Sequence, residues 1–60
     1  MNEIKRKLIN QAVERYTSIF PCTRANDLNE CFTIEDNVVM FWFNTEDKTT
    51  HILTATVPQI

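Results

Sequence analysis

Cys22, Cys31 and His51 are the side chains of this sequence best suited to nucleophilic or metal chemistry. A thiolate and an imidazole work as nucleophile and base when they lie within hydrogen-bond reach and a third group orients the imidazole. A metal asks for more ligands than these. The cysteine spacing matches no C-x2-C pattern, and with a single histidine the set stops at three. No metal and no cofactor is therefore expected. A secreted scaffold of 60 residues would carry more cysteine, so Cys22 and Cys31 read as reduced thiols that pack like small hydrophobes. The acidic pairs Glu35-Asp36 and Glu46-Asp47 fall at turns, where carboxylates are solvated. Nothing there supplies the apolar pocket that turns a carboxyl into a general acid at neutral pH. The chain has no glycine, which removes phosphate loops, dinucleotide fingerprints and glycine-based nucleophile elbows together. The sequence predicts a protein that is not an enzyme.

Charge offers a second kind of chemistry. Lys5, Arg6, Lys7 and Arg15 against Glu3 and Glu14 leave +2 over residues 1–20. Arg24 and Lys48 against Asp27, Glu30, Glu35, Asp36, Glu46 and Asp47 leave −4 over residues 21–60, and the two sum to the net −2. Lys5, Arg6, Lys7 and Arg15 are the candidates for phosphate contacts in an alternative reading as a nucleic-acid-binding accessory or regulatory protein. Aromatic residues on a sheet could add a stacking platform for single-stranded bases. Against it, the cations and the aromatics belong to different elements, and a pI near 5.1 is far from that of basic nucleic-acid-binding domains. No apolar run approaches the ~20 residues of a membrane helix, and Lys5-Arg6-Lys7 is not followed by a leader's apolar core. A cytoplasmic location with no membrane partner is the expectation.

The elements that must position these residues are read from periodicity. Ile4, Leu8, Ala12, Tyr16 and Ile19 recur at helical spacing, joined by Ile9, Val13 and Phe20. The spacing predicts a helix from Asn2, as N-cap, to Phe20, where Pro21 forbids continuation. Its apolar arc is wider than one sheet contact requires. Residues 21–30 read as a connector with Leu28 plugging the core. Three strands follow, about Glu30–Glu35, Val38–Asn44 and Thr49–Val57, rich in Val, Ile, Thr, Phe and Trp. Pro58 ends the ladder and Gln59-Ile60 is a loose tail.

Asp36-Asn37 suits a two-residue hairpin turn, because both residues tolerate positive φ. That turn pairs Ile34 with Val39, Phe32 with Phe41 and Glu30 with Phe43 on one face, and Thr33 with Met40 and Cys31 with Trp42 on the other. A three-residue loop, Glu46 to Lys48, pairs Phe41 with Leu53 and Val39 with Ala55. A one-residue slip would exchange the faces, bringing His51 beside Trp42 and near Cys31. The three-residue loop is preferred because it collects Phe32, Ile34, Val39, Phe41, Phe43, Leu53, Ala55 and Val57 on one side. In it Cys31 and His51 point to opposite faces and no catalytic pair forms. The expected fold is α+β: one domain, residues 1–60, with an N-terminal helix packed on a three-stranded antiparallel β-meander (α-β-β-β) as a two-layer sandwich.

Between Asn37 and Asn44 every residue is apolar. A strand with one wet face alternates, so this one asks for cover on both sides, and one helix covers one. The other face then carries Cys31, Thr33, Val38, Met40, Trp42, Ile52, Thr54 and Thr56, without a formal charge near its centre. A contiguous patch containing Trp and Met suits an interface. A domain this small also gains from the burial that self-association adds. The sequence thus predicts a non-catalytic interaction module, a homodimer first and a protein partner second. The contact residues are Val38, Met40, Trp42 and Ile52, with Ile9 and Val13 on the spare edge of the helix.

Overall fold

A computed structural model describes residues 2–58 as one helix and an antiparallel sheet of four strands. Helix α1 spans Asn2–Tyr16, β1 Phe20–Pro21, a 3-10 turn Leu28–Cys31, β2 Phe32–Glu35, β3 Val38–Asn44 and β4 Thr50–Thr56. The α+β order of helix then meander stands, with β1 added to it. Strand β3 is the centre. β4 lines one of its edges over the whole length, while β2 and the short β1 share the other edge end to end.

Both hairpins take the expected register, and the backbone says why. Asp36 and Asn37 adopt φ 49° and 65°, the pair of left-handed residues that a type I′ turn needs to match strand twist. Phe32 then meets Phe41, Thr33 meets Met40 and Ile34 meets Val39. In the second turn Lys48 takes the left-handed place, at φ 65°, that glycine would otherwise fill. The Thr45 amide donates to the Thr49 carbonyl at 3.0 Å, and the Lys48 amide to the Thr45 carbonyl at 2.8 Å. Phe41 accordingly faces Leu53 and Val39 faces Ala55. Asp47 staples this loop, accepting from the Thr45 hydroxyl and from the Thr49 amide. These bonds, the Thr45 hydroxyl first, hold the Asp47 carboxyl below its ordinary pKa.

Burial follows the pleat. Val39, Phe41 and Phe43 are 0% exposed, whereas Val38, Met40, Trp42 and Asn44 are half-buried. Leu8 and Ala12 of α1 close the core from above. Phe41 stacks on Phe32 at 4.5 Å between centroids and tilts against Phe43 at 5.0 Å. The extents of 39 × 23 × 15 Å describe a slab one helix and one sheet thick.

Three expectations are corrected. The helix ends at Tyr16, not Phe20. Thr17 turns left-handed at φ 67°, and its amide donates to the Val13 carbonyl at 2.8 Å, the bond of an αL helix end. The chain is thereby freed to lay Phe20 and Pro21 against Asn44 and Phe43. Pro21 sits on an edge of β3 that is only partly used, where a missing amide is tolerated, and the Asn44 side-chain amide donates to its carbonyl at 2.9 Å.

The second correction concerns residues 28–31, which form a 3-10 turn before β2 instead of belonging to it. The Asp27 carboxylate accepts from the Glu30 amide at 3.1 Å, and the Glu30 carboxylate accepts from the Asn26 amide at 2.6 Å. This reciprocal exchange resembles a capping box, a signal present in Asp27-Leu28-Asn29-Glu30. The pairs Glu30–Phe43 and Cys31–Trp42 therefore do not form, and Pro21 takes the place opposite Phe43. Third, Cys31 leaves the outer face and joins the core, at 2% exposure. Leu28 does pack against the core as expected. Asn2, expected as the N-cap, is instead the first residue of the helix, and a cap before it lies outside the described residues, as does the tail at Gln59-Ile60.

A left-handed β-branched residue is unusual and strained by ~1 kcal/mol or more. Thr17→Gly is expected to raise stability by roughly 0.5–1 kcal/mol, read as an upward shift of the urea midpoint with an unchanged slope.

Candidate functional site

Of the residues named for nucleophilic or metal chemistry, His51 makes its contacts with Tyr16, Phe43 and Thr45, and the two cysteines with each other. His51 sits on the helix side of β4, paired with Phe43. Its ring lies 4.4 Å from that of Tyr16 and 5.5 Å from that of Phe43, with Nε2 at 3.3 Å from the Thr45 hydroxyl. An imidazole used in this way is a wall of the core. Cys22 and Cys31 do meet each other. The Cys22 amide donates to the Cys31 sulfur at 3.3 Å, and the Cys31 thiol is 3.5 Å from the Asp27 carbonyl that accepts from it. Both are free thiols. Burial, with Cys22 and Asp27 beside it, pushes the Cys31 thiol above its ordinary pKa, although the Cys22 amide opposes this. Among the described residues no three His, Cys, Asp or Glu side chains gather as a metal site.

The thiolate is the reacting form. Cys22 is half-buried and Cys31 buried, so an alkylating reagent at neutral pH is expected to label Cys22 first, with Cys31 slower by at least ~10-fold. Peptide mass mapping of a time course checks the order.

The cations of α1 do not make one stripe. Lys5 lies over the ring of Phe32, 5.3 Å from its centroid, a place worth roughly 0.5–1 kcal/mol as a cation–π contact. Arg6 and Lys7 share their surface with Glu3 and Glu14. Arg15 borders Leu53 together with Gln11 and Glu14. The positive charge is dispersed around the helix and interleaved with carboxylates.

The outer sheet face is the feature left without a role in the core. The pleat turns Val38, Met40 and Trp42 away from α1, and the ladder sets Ile52 directly opposite Trp42, Thr54 opposite Met40 and Thr56 opposite Val38. Four of the candidate contact residues thus fall on one face, and Ile52 is 49% exposed there. The patch is uncharged at its centre, as the register of the two hairpins implied. At one end, Trp42 borders an open depression of about 510 Å³ with Thr33, Thr50, Arg24 and Cys31. The segment after β1 reaches this end of the patch. The two helix residues fare differently: Val13 is 44% exposed, whereas Ile9 packs against the core.

The strand β1 and its pairing with Phe43 and Asn44 were missed by periodicity. The usable signal was Pro21, which ends a helix but also suits an edge strand. No helix is long and apolar enough to cross a membrane among the described residues. No protein-family model matches the chain, and neither curated proteins nor solved structures show a significant similarity to it.

Proposed function

We propose that this chain is a small non-catalytic interaction module that self-associates, the outer sheet face of one copy meeting the same face of another. The observation that supports it is the arrangement of Val38, Met40, Trp42 and Ile52 on one face, opposite the face that α1 covers, with charge only at its margins, where Glu35 lies opposite Val38 and Arg24 borders the depression beside Trp42. Trp and Met suit such a contact, since the first supplies a large anchor and the second adapts to an irregular surface. A face that meets itself across a two-fold axis uses each residue twice, which lets a short sequence build a contact of useful size. Val13 offers a secondary apolar contact at the helix surface.

The test is mass in solution. Sedimentation is expected to give twice the 7.1 kDa of one chain at high micromolar concentration. Met40→Glu, which places a carboxylate at the centre of the contact, is expected to return the mass of a single chain. An unmutated chain that sediments as one copy at that concentration ends the reading.

A further inference from the structure

The two edges of the sheet differ in a way that bears on assembly. A free strand edge is a row of unpaired amides and carbonyls ready to take another strand, and proteins blunt it with short strands, proline, charge or bulges. One edge here is blunted by all but the last of these: β1 is two residues long and contains Pro21, and β2 is four residues long and ends on Glu35. β4 is the opposite case. Its seven residues, Thr50-His51-Ile52-Leu53-Thr54-Ala55-Thr56, include no acid, no lysine or arginine, and no proline. Among the described residues it pairs with β3 alone.

Which backbone groups of β4 point outward follows from the ladder. Antiparallel partners alternate between hydrogen-bonded and non-bonded pairs. The bonds from the Thr45 amide to the Thr49 carbonyl and from the Val57 amide to the Asn37 carbonyl fix the phase at both ends. His51, Leu53 and Ala55 therefore bond to β3. Thr50, Ile52, Thr54 and Thr56 direct their amides and carbonyls away from it.

We infer that this edge takes β4 of a second copy, antiparallel, with Leu53 opposite Leu53 on the two-fold axis. In that register Ile52 meets Thr54 and Thr50 meets Thr56 of the second copy, so every outward group of both strands is used. A register shifted by one residue would oppose outward-facing to inward-facing groups and bond none of them. Leu53 falls in a non-bonded pair, where side chains on one face come closest, and the leucines meet on the helix side. Charge permits the approach, because the helix residues bordering Leu53 include both Glu14 and Arg15. On the outer face the strand order β3-β4-β4-β3 makes a continuous row of Trp42, Ile52, and the second copy's Thr54 and Met40.

The edge contact uses a different surface from the outer-face contact and adds to it, joining copies beyond the first two. Amide hydrogen exchange on the full chain, at dilute and at associating concentrations, tests it together with Thr54→Pro. The expected result is that Thr50, Ile52, Thr54 and Thr56 exchange freely up to two copies and slow on the order of 10-fold once the mass passes two. His51, Leu53 and Ala55 are expected to be protected at both concentrations. Thr54→Pro removes an outward amide that β3 does not use. It is expected to stop at two copies while those three amides stay protected. Free exchange of the four outward amides in a sample whose mass exceeds two copies, or a mass that never exceeds two, would overturn the inference and leave the outer-face contact standing. Dimeric Trp42→Lys and Met40→Glu beside a monomeric Thr54→Pro would do the reverse. A chain that is single at every concentration, or whose edge is protected only by an added peptide of other sequence, would also overturn it.

Discussion

Phe41→Ala is expected to unfold the protein at room temperature. Phe41 has no exposed surface and sits where every layer of the molecule meets. It stacks on Phe32, tilts on Phe43 and opposes Leu53 across the ladder. Truncating a buried phenylalanine costs about 3–5 kcal/mol, part lost transfer energy and part the cavity that remains. A domain of 60 residues has a total stability of roughly 3–9 kcal/mol, so the loss takes most or all of it. Loss of the cooperative thermal transition, followed by near-UV circular dichroism, is the expected readout. Phe41→Leu keeps much of the volume and is expected to fold with a lowered midpoint. A folded Phe41→Ala with an unchanged midpoint would show that the core is not centred on β3.

Trp42→Lys, one residue along, is expected to do something different. The pleat turns Trp42 to the outer face, beside Met40 and opposite Ile52, and the residue is only half-buried. No core layer depends on it. The substitution is expected to leave the α+β fold in place, with the same far-ultraviolet spectrum and a cooperative transition. What changes is mass: two copies would have to bury facing ammonium groups at the centre of the contact, and an uncompensated buried charge costs several kcal/mol. Sedimentation is expected to move from two copies to one, with the dissociation constant weakened by at least ~100-fold, since every 1.4 kcal/mol is tenfold. A dimer of unchanged affinity in Trp42→Lys would remove Trp42 and its face from the contact. The pair of substitutions thus separates core from surface on adjacent residues of one strand.

The contrast between those neighbours explains what could be read from the chain unaided. The run Val38 to Phe43 is apolar throughout, so alternation could not say which face was inside. The two turns settled it. Asp36-Asn37 tolerates a double left-handed turn, and a three-residue loop collects the aliphatic residues of β4 on the side of Phe41, so the register and the inner face were legible from local chemistry. That register also placed Val38, Met40, Trp42 and Ile52 on one face and separated His51 from Trp42.

Of the remainder, the helix end was decided by tertiary structure, whereas the turn before β2 rests on a local signal in Asp27-Leu28-Asn29-Glu30 that propensity alone passes over. Ile19 and Phe20 keep the helical period, yet α1 stops at Tyr16 because the free edge of β3 beside Phe43 and Asn44 offers a better use for Phe20 and Pro21 than another helical turn. Nothing local to residues 17–21 encodes that edge. Cys31 reads as strand by propensity, but the Asp27–Glu30 exchange winds residues 28–31 into a turn and carries its thiol into the core. The sequence by itself determined the hairpins, because turn residues and side-chain period act over a few neighbours. Only the folded molecule decided where the helix ends and what lies at the open edge of β3, because those choices depend on partners more than twenty residues away.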